Sequence, residues 1–156
     1  MIKELEALKA EERELMMDAI SLVTLLVAGA DGKIDSRETE WATKITKIRG
    51  YKEKAELKPF YREVGETFEE RLQYYLDKLP EDETEMHQFI SDKLAKLNDI
   101  LPKIDSWYAQ LYYESLLSFA KHVAESSGGI FGFMAIDAKE KKVIKLSMIN
   151  PIEFPE

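Results

Sequence analysis

The chain has 156 residues, 45% of them hydrophobic and 33% charged, a composition typical of one globular domain with a sizeable core. Its net charge of −8 argues against a nucleic-acid partner and against an anionic membrane surface, because both call for a basic face. The absence of cysteine excludes disulfides and thiolate zinc sites and fits a reducing compartment. We therefore expect a single cytoplasmic domain over 1–156, with no signal peptide and no membrane insertion.

Apolar residues recur at helical spacing along most of the chain, which has only 7 Gly and 5 Pro. This pattern predicts an all-α, single-domain bundle of about seven helices. Gly65 is expected to close one helix, and Thr67 with Glu70 to form a capping box that opens the next. In chain order, the predicted helices span about 2–12 and 13–29 (one helix if these are continuous), 36–49, Pro59 to Gly65, 68–79, 82–101, 106–126 and 138–147. The conformation of 130–136 is left open.

Two of these helices carry particular expectations. The helix over 13–29 is apolar on most sides, so other helices should surround it. In the helix over 36–49, Trp41, Ile45 and Ile48 are expected to form the buried stripe and Gly50 to end the helix. The aromatic residues near the start of the helix over 106–126, Trp107 and Tyr108 among them, are expected to lie partly in the core and partly at an edge facing a partner.

An acidic turn joins the two helices over 13–29 and 36–49. Its sequence, Ala28-Gly29-Ala30-Asp31-Gly32-Lys33-Ile34-Asp35-Ser36-Arg37-Glu38, has an Asp-Gly turn followed by a capped helix start. A weaker copy, Ile136-Asp137-Ala138-Lys139-Glu140, follows the helix over 106–126. The match between the two regions predicts two helix–acidic turn–helix pseudo-repeats, over about 13–49 and 106–147.

The stretch AISLVTLLVAGADGKIDSRETEWATKI resembles the TerB family, the all-helical domain of tellurite-resistance operons that also has relatives among co-chaperone proteins. The resemblance covers about 18–49 well and 108–147 more weakly, because Ser127 stands where the first half has Asp31 and the second turn is six residues longer. It implies a helical accessory domain in a bacterial stress response, with divalent metal held by acidic residues.

The residues themselves allow a metal site at the first turn. Carboxylates suit Ca²⁺, Mg²⁺ or Mn²⁺, and Zn²⁺ is a further candidate. The sequence is not a true EF-hand loop, because the first and third loop positions would be Val27 and Gly29, which offer no carboxylate. The candidate ligands are Asp31, Asp35, Glu38, Asp18 and Glu114, with Asp137 and Glu140 as a weaker second set. The alternative is that Asp35 and Glu38 cap a helix and Asp31 shapes a turn.

Three functions follow from these patterns. The first is a non-enzymatic TerB-like accessory or interaction module with a possible divalent cation. The second is a metal-free protein-interaction or oligomerisation domain, including a homo-oligomer. An enzyme, the third, would need Asp18, Asp31 and Glu114 to converge in one pocket, and no catalytic motif points to it.

His122, with Glu125 one turn on, is more typical of an ordinary histidine than of a metal ligand.

Overall fold

The computed structural model describes residues 2–30, 34, 36–125 and 142–152, and every regular element in them is helical. The elements in chain order are a 3₁₀ turn (Lys3–Leu5), α1 (Ala10–Ala28), α2 (Ser36–Lys52), α3 (Lys58–Leu76), α4 (Glu83–Ala95), the one-turn α5 (Leu97–Ile100), a second 3₁₀ turn (Leu101–Lys103) and α6 (Ser106–Glu125). The all-α prediction is confirmed. Of the helix expected over 138–147, residues 138–141 lie outside the described residues, as do 130–136. Residues 142 and 143 are helical, but the chain turns from 144 onward and Leu146 has a φ of 46°, so the predicted extension to 147 is wrong.

Helix α1 is the centre of the bundle, as its sequence predicts. All but one of the residues from Met16 to Ala28 are buried, the exception being the half-buried Asp18. Helices α2, α3, α4 and α6 all contact it. A helix buried on nearly every side gains its stability from tertiary contacts rather than from its own propensity.

Helix α3 is continuous through Gly65, so the predicted break there is wrong. A β-carbon at Gly65 would meet Lys47 at an ordinary 3.8 Å, which means that the glycine is helical without any steric need for it. Thr67 is not a cap: its hydroxyl accepts a hydrogen bond from Arg71 Nε at 2.8 Å within the helix. Tertiary packing along Phe60, Val64 and Phe68, all fully buried, outweighs the weak local signal of the glycine.

The helix predicted over 82–101 ends earlier, at Ala95. Asp82 caps its start by accepting a hydrogen bond from the Glu85 amide at 3.0 Å. After Lys96 the chain makes the single turn α5, and Pro102 lies in the 3₁₀ turn that follows, where its missing N–H is tolerated. Asp105 caps α6 through the Tyr108 amide at 3.0 Å, which confirms the predicted start of that helix.

Two tyrosines of α6 provide a matched test of the core. Tyr112 donates its hydroxyl hydrogen to the Met16 carbonyl oxygen at 2.8 Å, whereas the buried Tyr108 hydroxyl has no hydrogen-bond partner in the described part of the chain. We expect Tyr112→Phe to lower the free energy of unfolding by about 0.5–1.5 kcal/mol, and Tyr108→Phe to leave it unchanged or raise it by up to about 1 kcal/mol. Urea unfolding of both variants measures the difference, and an equal loss in the two would contradict it.

Candidate functional site

The predicted metal ligands fall into two groups. Asp31, Asp35, Asp137 and Glu140 lie outside the described residues. Glu38, Asp18 and Glu114 are described, and they lie on three different helices, α2, α1 and α6.

Asp18 is engaged by α3. Its Oδ1 accepts a hydrogen bond from Arg71 Nη1 and its Oδ2 one from the Tyr75 hydroxyl, both at 2.7 Å. Arg71 also pairs with Glu14 at 2.6 Å. Since Ala28 is ten residues further on, the end of α1 lies about 15 Å from Asp18 along the helix axis. In this structure the Asp18 carboxylate holds α1 against α3.

Glu38 is buried, with 2% of its surface exposed. It lies in the first turn of α2, where a carboxylate interacts favourably with the helix dipole. Glu114 is exposed and accepts a hydrogen bond from Gln110 at 3.1 Å, one turn earlier in α6. Over the ranges given above, no three His, Asp or Glu side chains come together as a metal site would require. The metal site therefore stays a prediction, and it rests on the four carboxylates outside those ranges together with Glu38.

A groove of about 760 Å³ lies between α2 and α6. We call it the α2–α6 groove. Its residues follow one side of α2 at helical spacing and the facing side of the last two turns of α6. The described lining residues are Arg37, Glu40, Trp41, Lys44, Ile45, Ile48, Arg49, Lys52, Glu53, Ser118, His122 and Glu125.

The prediction of a buried Trp41–Ile45–Ile48 stripe is wrong for two of its three members. Ile45 is buried, but Trp41 is 42% exposed and Ile48 is 37% exposed. The buried side of α2 instead carries Glu38, Ala42, Ile45, Thr46, Arg49 and Gly50. Apolar side chains therefore remain open to solvent along the groove.

Gly50 explains how α2 lies so close to α3. A β-carbon at this position would come within 3.2 Å of Arg62 Cγ. The Arg62 Nε also donates a hydrogen bond to the Gly50 carbonyl oxygen at 2.9 Å. The helix continues to Lys52 rather than ending at Gly50 as predicted. The contacts with Arg62 offset the loss of helix stability that a glycine causes in an isolated helix.

Arg49 forms the floor of the groove and is 6% exposed. Its Nη1 donates to the Ser115 carbonyl oxygen at 2.9 Å and to the Tyr61 hydroxyl at 3.3 Å, and pairs with Glu53 at 3.3 Å. Its guanidinium also lies over the rings of Tyr61 and Phe119, 5.3 and 5.4 Å from their centres. One cation thus joins α2 to α3 and α6, and burial with this many partners fixes its position.

The other guanidinium nitrogen of Arg49 faces α6. Its Nη2 donates to the Ser118 hydroxyl at 2.9 Å and lies 3.2 Å from His122 Nδ1. Because an arginine has no acceptor, His122 Nδ1 must be the unprotonated acceptor, which leaves Nε2 to carry the ring hydrogen. Burial, and then the positive charge of Arg49, lower the pKa of His122 below its usual value.

This pKa shift predicts a pH dependence of stability. Because His122 binds a proton less readily when folded, its contribution is present above the unfolded pKa of about 6.5 and is lost as the pH falls below it. We expect the free energy of unfolding to decline from about pH 7 to about pH 5, and His122→Gln to remove part of that decline. Urea unfolding at both pH values tests this, with His87→Gln as the matched control. An identical decline in wild type and His122→Gln would contradict it.

The α2–α6 groove was not predicted from the sequence. Nothing in the sequence marks Arg49 as buried, since an arginine is usually exposed. The charge of α2 could have indicated the groove. Its 17 residues contain five lysines and arginines against two glutamates, a net charge of +3 in a chain whose net charge is −8.

Comparisons with family models, with curated proteins and with solved structures find no significant match to this chain. The resemblance to the TerB family therefore remains an expectation from the sequence. In the described ranges, no helix combines the length and the apolar character needed to cross a bilayer.

Proposed function

We propose that this chain is a non-enzymatic helical interaction module that binds a segment of another protein in the α2–α6 groove. The observation that carries the proposal is the combination of exposed apolar side chains, Trp41 and Ile48, with a floor that Arg49 fixes from below. Exposed aromatic and aliphatic side chains in a concave surface are the usual anchors of protein contacts.

The rigidity of the groove favours binding. Both walls are helices, and the buried bonds of Arg49 to Ser115 and Ser118 tie one wall to the other. A preformed surface loses little conformational entropy when a partner binds. Its volume of about 760 Å³ is large enough for several side chains of a partner helix laid along it.

The TerB-like stretch over 18–49 supports a place for this module in a bacterial stress response of the tellurite-resistance type. That stretch includes most of α2, so the resemblance and the groove concern the same helix. The proposed role is accessory: the module holds a partner and performs no chemistry on it.

An unbiased library of displayed peptides tests the proposal. Peptides selected on the wild-type protein should bind the Trp41→Ala/Ile48→Ala variant at least about tenfold more weakly, since truncating an interface anchor costs more than about 1.4 kcal/mol. Tyr74→Ala is the matched control, because Tyr74 is 55% exposed on α3 and does not line the groove. Failure to select any peptide, or equal binding by all variants, would overturn the proposal.

A second candidate is a divalent cation at the acidic turn. The observation that favours it is the burial of the Glu38 carboxylate directly after the predicted ligands Asp31 and Asp35. Thermal unfolding of chelator-stripped protein with Ca²⁺, Mg²⁺, Mn²⁺ or Zn²⁺ tests it. An ion at 100 times its dissociation constant adds about 2.7 kcal/mol and should raise the midpoint by several degrees, an effect that Asp31→Asn should abolish. No rise with any of the four ions at millimolar concentration would exclude this site.

A further inference from the structure

We propose that the partner segment bound by the α2–α6 groove is an acidic amphipathic helix, one whose apolar stripe is flanked by carboxylates. This inference rests on the proposed function and adds the chemistry of the partner. It is drawn from the charge of α2, from the spacing of the residues along the groove, and from the shape of the surface.

The charge of α2 is opposite to that of the protein. Its net charge is +3, whereas the whole chain carries −8. Within the described residues neither Lys44 nor Lys52 forms an ion pair, so their ammonium groups are available to a partner. An exposed cation beside apolar side chains favours an anionic partner, because the attraction grows as water leaves the contact.

The spacing along the groove sets the pattern of the partner. Lys44, Ile48 and Lys52 follow one another at four-residue intervals, so that the backbone positions of the two lysines lie about 12 Å apart along the helix axis, with an apolar residue between them. Trp41 and Ile45 extend the apolar surface toward the start of α2. A helix with carboxylates about two turns apart, beside an apolar stripe at i, i+3, i+4 and i+7, matches this order.

The acidic residues of the groove do not oppose this arrangement. The carboxylate of Glu53 is held by Arg49 at 3.3 Å and is therefore already neutralised. Glu40 and Glu125 also line the groove, but its lining carries four cations, Arg37, Lys44, Arg49 and Lys52, against three carboxylates, which leaves a net charge of +1. On the opposite wall Ser118 carries no charge, and burial and the neighbouring Arg49 lower the pKa of His122, which favours its neutral form.

The shape of the surface favours a peptide over an anionic membrane. A lipid surface is flat and would contact the whole basic helix, whereas here the apolar side chains line a concavity between two helices. The net charge of −8 would also repel an anionic bilayer from the rest of the molecule. A helix laid between α2 and α6 contacts both walls at once.

Two synthetic helical peptides of about 16 residues test the inference. One has a leucine stripe flanked by glutamates, and the other has lysine in place of each glutamate. We expect the acidic peptide to bind the wild-type protein at least tenfold more tightly than the basic one, and to lose affinity between about 50 and 200 mM salt. Lys44→Glu/Lys52→Glu should reverse the preference, while Lys47→Glu, an exposed change on the same helix that does not line the groove, should leave it in place.

The outcomes separate the inference from the proposed function. If both peptides bind equally and lose affinity in Trp41→Ala/Ile48→Ala, the groove is an interaction site but the inference is wrong. If neither peptide binds and the displayed library selects none, both fail. Binding to vesicles that contain phosphatidylserine, weakened by Lys44→Glu/Lys52→Glu, would overturn the inference in favour of a membrane. Self-association of the protein, abolished by Ile48→Glu, would overturn it in favour of a second copy.

Discussion

Replacing Arg49 by alanine should lower the free energy of unfolding by about 3–5 kcal/mol. The side chain is 6% exposed and bonds to two other helices, α3 and α6, and its loss leaves the carboxylate of Glu53 and the hydroxyl of Tyr61 without their cation. A buried partner deprived of its charge or hydrogen bond carries the full cost of having left water. Urea unfolding followed by circular dichroism measures this change.

Lys47→Ala is the matched control for Arg49. Lys47 is an exposed cation in the same helix, and its removal should change the free energy of unfolding by no more than about 0.5 kcal/mol. Arg49→Lys should recover only part of the stability, because one ammonium group cannot reach the acceptors on both α3 and α6. A loss below about 1 kcal/mol for Arg49→Ala would show that the cation does not hold the floor of the groove.

Replacing Asp18 by alanine should lower the free energy of unfolding by about 2–3 kcal/mol, the second-largest change that we expect. The carboxylate accepts charge-assisted hydrogen bonds from Arg71 and Tyr75, both at 2.7 Å, in the contact between α1 and α3. The Asp18 side chain is 18% exposed and that of Arg71 is 16% exposed, so water replaces these bonds poorly.

Glu14→Ala is the matched control for Asp18, because Glu14 pairs with the same arginine from a position that is 59% exposed. We expect it to cost at most about 1 kcal/mol. If Asp18 acts through α3, adding a chelator should not change the loss of unfolding free energy of either variant. A loss for Asp18→Ala that appears only when a divalent ion is present would instead identify Asp18 as a ligand, as the sequence first suggested.

The sequence was sufficient for the elements that depend on local pattern. The buried centre at α1, the start of α6 at Asp105 and the helix that begins near Pro59 all follow from apolar periodicity and capping chemistry. The break expected at Gly65 was wrong because a long-range contact, the packing of Phe60 and Phe68 into one core, decided that position. Local signals cannot report such contacts.

The candidate site was harder to predict for a related reason. Helical periodicity gave the correct face for Ile45 but assigned Trp41 and Ile48 to the same face, because hydrophobicity alone does not reveal which side of α2 meets its neighbours. The position of Arg49 depends on Ser115 and Ser118, which are more than 60 residues away in sequence. The pseudo-repeat and the metal ligands remain predictions, since Asp31, Asp35, Asp137 and Glu140 lie outside the described residues.

The most direct test of the α2–α6 groove as a binding surface is a chemical-shift map of isotopically labelled protein titrated with the acidic helical peptide. We expect the backbone amide signals that move to be those of the groove, with the shifts of Lys44, Ile48 and Ser118 among the largest, while the signal of Tyr74 on the exposed side of α3 stays in place. Shifts that centre on Tyr74 or on Trp107, or no shifts at millimolar peptide, would contradict the assignment of the α2–α6 groove as the binding surface.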